Sequence, residues 1–171
     1  MHVVITPSRN EASHLEKLVE SMKNQTHRPI MWVILDDNSS DGTKGILDGY
    51  LKEISWMKVI HISDDSPRKR GAHIAKLFNT GLSSIDLSWS FCSKIDADMI
   101  LPKNYFEKLF TKFDENDKLG IASGSCFFYR NRKRIVEKVT NDHTRGGLKT
   151  YRRQCFDDID GVREVDGWDG I

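Results

Sequence analysis

The sequence predicts an α/β fold: a mixed, mostly parallel sheet with helices on both faces. Two observations carry this. Short apolar runs and amphipathic stretches alternate four times along the chain, and strand–helix alternation of that kind builds parallel sheets. Polar and acidic residues then fall at three strand ends, around Pro7 to Glu11, at Asp36 and Asp37, and at Asp96 and Asp98. Ligands of such sheets bind outside the carboxyl ends of the strands, so these ends point to one binding edge.

Each element follows from local pattern. Residues 2–6 form an apolar run that Pro7 should stop. Residues 11–23 place Leu15, Leu18, Val19 and Met22 at helical spacing, with Asn10 or Ser8 as cap. Residues 31–35 are a second strand, ended by the dense turn signal Asp36-Asp-Asn-Ser-Ser-Asp-Gly42. A helix over 43–51 has Ile46 and Tyr50 on one side. Residues 57–62 are a third strand, followed by a charged loop at 63–70. The helix over 71–83 turns Ile74, Leu77 and Phe78 inward, and 89–95 is the fourth strand.

Pro102 sits at the mouth of a helix over 103–113, whose apolar side is Phe106, Leu109, Phe110 and Phe113. Residues 120–129 are apolar and β-rich, 130–134 are a basic tip, and 135–139 can return as a strand. A loop at 144–147, a short strand at 148–151 and a short helix at 153–159 complete the chain.

Composition narrows the function classes. A chain of 171 residues fits one domain, able to bury roughly 70% of its unfolded surface. With 26 basic and 25 acidic residues the net charge is +1. No global field argues for nucleic acid, so phosphate binding must be local. A hydrophobic share of 38% beside 30% charged residues fits a soluble globular protein. No apolar run is long enough to span a membrane, and the first residues start a strand rather than a signal peptide. The expected location is cytoplasmic, with peripheral contact at the inner face of a membrane left open. Cys92, Cys126 and Cys155 are expected as reduced thiols, the first two inside apolar strands. No His or Cys pair has zinc-ligand spacing, and the absence of Gly-x-x-x-x-Gly-Lys-Ser/Thr argues against a P-loop ATPase.

The stretch Trp89-Ser-Phe-Cys-Ser-Lys-Ile-Asp-Ala-Asp98 reads as a buried strand that runs into two carboxylates. Residues i and i+2 share a face of a strand, so Asp96 and Asp98 could converge on one ion. Carboxylate oxygens suit Mg²⁺ or Mn²⁺, ions that commonly hold phosphates. Alone, Asp-x-Asp also reads as a solvated strand end.

Three segments together carry a resemblance. Val3-Val-Ile-Thr-Pro-Ser-Arg-Asn-Glu11, Ile34-Leu-Asp-Asp-Asn-Ser-Ser-Asp-Gly-Thr43 and Asp96-Ala-Asp98 resemble the family-2 glycosyltransferases of the GT-A (Rossmann-like) fold. The resemblance covers nearly the whole chain. It implies a nucleotide-binding half at 1–101 and an acceptor-side half at 102–171. It implies that Pro7, Arg9 and Glu11 surround the base and ribose of a nucleotide-sugar donor, with Asp37 accepting from a ring N–H such as that of uracil. Asp36 also reads as a turn-capping carboxylate. Arg70, before the third helix, stands where relatives approach the diphosphate; a helix N-terminus with nearby cations is a ready anion site. Asn79 matches an Asn that relatives keep in this helix, and it also reads as a tie to a neighbouring loop. Asp98 takes the role of metal ligand for Mn²⁺ or Mg²⁺, and Asp96 faces the ribose or the metal.

A second signature closes the chain. Gly146-Gly-Leu-Lys-Thr-Tyr-Arg-Arg-Gln-Cys-Phe156 followed by Gly167-Trp-Asp-Gly-Ile171 resembles the acceptor-side segment of bacterial-type members. There a carboxylate serves as general base on the acceptor hydroxyl, which makes Asp169 the candidate and Trp168 an acceptor-side ring. Relatives continue past this motif, so the expectation is a domain truncated at its C-terminus, with the base at Asp169 or beyond. The resemblance implies metal-assisted, inverting transfer to a saccharide or lipid-linked acceptor of the cell envelope. Two rivals stay open: a non-catalytic nucleotide-sugar-binding module, and a sugar-phosphate nucleotidyltransferase, which would want a glycine-rich first loop that Thr6-Pro-Ser-Arg-Asn-Glu11 lacks.

Overall fold

The computed structural model describes residues 1–63, 71–137, 140 and 143–167. Among them the main sheet has six strands in the order β3-β2-β1-β4-β8-β5. Here β1 is His2–Ser8, β2 Met31–Asp37, β3 Met57–Ile62, β4 Phe91–Lys94, β5 Ile121–Ala122 and β8 Thr150–Arg152. The first four are parallel, while β8 runs antiparallel to both β4 and β5. The sheet is therefore mixed and mainly parallel, as the alternation of elements predicted.

Helices cover both faces. On one side α1 (Ala12–Lys23), α2 (Thr43–Tyr50) and α4 (Tyr105–Glu115) pack on Val4, Trp32 and Ile34. On the other, α3 (Ala72–Ser83) and α5 (Arg153–Asp158) pack on Val3, Ile5, Val33 and Leu35. The alternation of side chains along β1 and β2 divides the core this way. The α4 stripe Phe106, Leu109, Phe110 and Phe113 is buried as its spacing requires, each ring or Leu contributing about 1.5–3 kcal/mol. Gly81 lets α3 lie close on the sheet, because a Cβ there would stand 2.7 Å from Leu35 and 2.8 Å from Ile5.

Several boundaries differ from the sequence reading, among them the short strand read at 148–151, which is Thr150–Arg152, and the return strand read at 135–139, which is Lys133–Val136; four differences bear on the site and the sheet. First, Pro7 does not stop β1, which pairs with β2 as far as Ser8↔Asp36. The carbonyl of Ile5 faces β4, accepting from Ile95, so by alternation the missing N–H of Pro7 also faces that side. Pairing with β4 has already ended at Ile5↔Lys94, and the sheet loses no bond. Second, β2 carries Asp36 and Asp37 inside the strand rather than in a turn. Third, β4 ends at Lys94, so Asp96 and Asp98 lie on the following turn, and the shared-face argument for a strand does not apply to them. Fourth, the stretch 120–129 splits. β5 joins the main sheet, whereas β6 (Phe127–Arg130) pairs with β7 (Lys133–Val136) in a separate hairpin.

The three cysteines are free. Cys92 is buried in β4, and burial pushes its thiol well above the ordinary range. Cys126 is only half-buried and precedes β6 rather than lying in a strand. No helix among the described residues is long and apolar enough to cross a membrane.

Candidate active site

The carboxyl ends of β1, β2 and β4 open into one cleft of about 380 Å³. Pro7, Arg9, Glu11, Asp37, Asp96 and Asp98 all line it, joined by Lys94 and by Gly71 and Ile74 at the start of α3. Six residues predicted from three distant segments thus share one cavity. The remaining three predicted residues, Arg70, Trp168 and Asp169, lie outside the described residues.

The first two loops are built as a unit. Neither Asn10 nor Ser8 caps α1. Instead Thr43 Oγ1 accepts from the Glu11 amide at 2.8 Å, and Asp41 Oδ2 accepts from Ala12 at 3.2 Å. The orphan N–H groups of a helix start are satisfied from another loop. Bonds from the Thr43 side chain first, then its backbone, hold Asp41 below the usual carboxylate range. Asn10 takes a left-handed φ of 54°, and its Oδ1 accepts from the Ser40 amide at 2.8 Å. The segment 36–43 is thereby locked onto the loop that carries Arg9 and Glu11.

Asp36 and Asp37 point opposite ways, as neighbours in a strand must. Asp36 turns from the cleft, and its Oδ2 meets His61 Nδ1 at 2.8 Å; His61 Nε2 reaches Asp48 at 3.1 Å. It is a strand residue held by an imidazole, not a turn cap. Asp37 turns into the cleft and is 3% exposed. Its Oδ2 lies 2.9 Å from His73 Nε2 and 3.9 Å from Arg9 Nη1. A carboxylate so deeply buried requires such cationic or donor partners.

At the far wall, Lys94 is buried and Asp96 is half-buried. Lys94 Nζ pairs with Asp96 Oδ1 and donates to the Gly146 carbonyl at 3.1 Å. The Asp96 amide donates to the Gly147 carbonyl at 2.9 Å. A Cβ on Gly147 would stand 2.7 Å from Asp96 Oδ2, so this glycine of the second signature serves close approach to the carboxylate. Asp98 is exposed on the cleft rim. Among the described residues no group of three or more His, Cys, Asp or Glu gathers as a protein-only metal cage. The donor chemistry still fits a hard cation, because Mg²⁺-type ions are typically held by one or two carboxylates together with substrate phosphates. Asp98 is the open carboxylate; Asp96 is engaged by Lys94.

Residues 159–167 run back along α3. Asn79 Nδ2 donates to the Val162 carbonyl at 2.9 Å and to Glu164 at 3.2 Å, the loop tie that its position suggested. Gly71, with φ of 80°, packs against Asp166 and Gly167, and a Cβ there would stand 3.1 Å from both backbones. Gly167, the first residue of the closing motif, therefore lies at the N-terminal end of α3 beside the cleft.

Sequence reading missed Lys94 and His73. Lys94 stood only as part of a strand and His73 only as part of a helix, with no role given to either side chain. The one available signal was their placement two residues from Asp96 and from Gly71.

Comparison with known proteins agrees with this architecture. A glucosyltransferase of Campylobacter jejuni, described as GalNAc(5)-diNAcBac-PP-undecaprenol beta-1,3-glucosyltransferase, is 28% identical over 138 residues, or 81% of this chain and 39% of that one. TarS 1–349 of S. aureus, solved in complex with UDP, superposes with a TM-score of 0.71 at 20% identity, covering 99% of this chain and 52% of TarS 1–349. The mannosyltransferase PcManGT of Pyrobaculum calidifontis, solved with GDP-Man and Mn²⁺, gives a TM-score of 0.70 at 19% identity, covering 99% and 49%. The chain thus spans from about two fifths to half the length of these proteins. The two solved structures have the GT-A glycosyltransferase fold. The family model described as glycosyl transferase family 2 matches residues 3–163, and the chain belongs to that family.

Proposed function

We propose that this chain is the donor-binding and catalytic part of a glycosyltransferase that moves a sugar from a nucleoside-diphosphate sugar to an acceptor hydroxyl. The observation that carries this reading is the convergence of Arg9, Asp37 and Asp98, from three separate loops, on one cleft at the carboxyl edge of the sheet. Asp37 accepts from a ring N–H of the base, for which uracil N3–H is suited; Arg9 lies flat against the base or ribose. UDP in TarS supports a uridine donor, while GDP-Man in PcManGT keeps guanosine as the second reading.

The diphosphate belongs between Asp98 and the start of α3, where Arg70 would add a cation. Asp98 would hold Mn²⁺ or Mg²⁺, with Asp96 beside it; Mn²⁺ in PcManGT supports this. When bound, such an ion supplies charge neutralisation for the departing nucleoside diphosphate. Arg9, Asp37 and the walls of the cleft orient the donor, and holding two substrates in line provides part of the rate. In-line attack from the face opposite the diphosphate gives inversion. Asp169 is the proposed general base and Trp168 the acceptor-side ring. The Campylobacter relative's name includes an undecaprenol diphosphate carrier, which favours a lipid-linked acceptor glycan.

Transfer tests this directly. Incubation with radiolabelled UDP-sugars and lipid-linked acceptors, with and without Mn²⁺, should yield metal-dependent product. Donor binding without transfer or hydrolysis would instead support a binding module.

A further inference from the structure

The hairpin of β6 and β7 stands apart from the main sheet. Asn131 and Arg132 have φ of 52° and 62°, the pair of left-handed residues that a tight two-residue hairpin turn uses. Phe127, Phe128, Tyr129, Ile135 and Val136 are 37% to 68% exposed. An isolated two-stranded ribbon is marginal in water, and clustered apolar exposure marks an interaction surface. Cross-strand pairing puts Phe127, Tyr129, Arg134 and Val136 on one face. Phe128 and Ile135 share the other face with Arg130 and Lys133.

Charge identifies the partner. Residues 127–136 hold three arginines and one lysine, with no carboxylate. The whole chain carries only +1, so the rest of it is net acidic and this ribbon is a local excess of positive charge. Arg134 lies 4.2 Å from the Phe127 ring centroid, a cation stacked on an aromatic face.

We propose that this hairpin docks on the interface of an anionic lipid bilayer. Aromatic rings settle at headgroup depth, long basic side chains keep their charges at the headgroups, and a basic cluster is drawn to an anionic leaflet. Ile135 and Val136 carry no polar side-chain atom to bond a saccharide, which favours a lipid surface over a soluble polyanionic glycan.

The hairpin is joined to the cleft. The Glu137 amide closes its base on Cys126 at 2.9 Å, and the Glu137 side chain pairs with Arg145. The Arg145 amide donates to Ser123 Oγ at 2.9 Å, and the adjacent Gly146 carbonyl accepts from Lys94 in the cleft. Docking therefore sets the cleft beside the membrane surface.

The test is co-sedimentation of the full chain with vesicles of phosphatidylcholine alone or mixed with phosphatidylglycerol, without donor or acceptor. Binding should require phosphatidylglycerol and fall with added salt, as exposed charges are screened. Arg130→Gln with Arg132→Gln should weaken it by at least about tenfold, and Phe128→Ser with Tyr129→Ser should weaken it at constant charge. Both variants should keep the wild-type thermal shift with UDP and Mn²⁺, showing an intact fold. Absence of binding to anionic vesicles overturns the proposal, as does binding that survives both variants. A hairpin-dependent dimer in light scattering, without vesicle binding, assigns the face to a second copy and also overturns it. Because donor binding is read separately, failure here leaves the transferase reading standing.

Discussion

His73 Nε2, on the first turn of α3, lies 2.9 Å from Oδ2 of Asp37 at the end of β2. An ionised carboxylate can only accept, so the imidazole proton sits on Nε2. This bond joins the end of β2, proposed to read the base, to the start of α3, proposed to border the diphosphate. His73→Leu should remove a charge-assisted partner from a buried carboxylate, at about 1.5–3 kcal/mol. UDP affinity, measured by calorimetry, should fall about tenfold. Asp37→Asn should weaken UDP binding more than His73→Leu does, read by the same calorimetry.

Glycine substitutions should separate the cleft from the scaffold. Gly147→Ala places a Cβ 2.7 Å from Asp96 Oδ2 and from Met99 Cε, so the Asp96 carboxylate must move. Transfer should fall by an order of magnitude or more, read as kcat/KM. Gly49→Ala in α2 meets nothing within 4 Å and should stabilise the fold by roughly 0.5–1 kcal/mol through helix propensity, read by urea unfolding, with transfer unchanged.

The buried His2 gives a pH signature. Desolvation, then repulsion from His27 and from the N-terminus, lower its pKa well below the ordinary value. Its Nε2 lies 2.8 Å from Ser93 Oγ, which in turn bonds Thr150 at 2.7 Å. The unfolded chain therefore takes up a proton at a pH where the folded chain does not. Stability should be constant above about pH 7.5 and fall as pH drops below about 6.5, with a slope of up to about 1.4 kcal/mol per pH unit for this one group. The decline should end once the folded histidine itself protonates. Urea unfolding of His2→Gln across this range should show a shallower slope.

Much of this molecule was legible in its residues because burial writes itself as periodicity. The α1 and α4 stripes and the strand over 57–62 fall where spacing placed them. Asp36 and Asp37 misread as a turn because a carboxylate signals solvent unless its partner is known, and His61 and His73 are distant in the chain. The cap of α1 was hidden for the same reason: Asp41 and Thr43 supply it across 29 and 32 residues. The role of Lys94 was hidden because nothing local reveals that Gly146 and Asp96 bond its ammonium. Conversely, the six described candidate residues share one cleft because they lie at strand ends, and topology alone brings strand ends together.

The central claim is that these loops jointly hold a nucleoside diphosphate with a divalent cation at Asp98. Thermal unfolding with UDP and Mn²⁺, for wild type and Asp98→Ala, tests it most directly. Ligand at a hundredfold excess over its Kd stabilises by about 2.7 kcal/mol, which for a chain of this size raises Tm by about 5–10 °C. The account predicts that rise in wild type and loss of its Mn²⁺-dependent part in Asp98→Ala. No rise with any nucleoside diphosphate, or an identical metal-dependent rise in the variant, would contradict it.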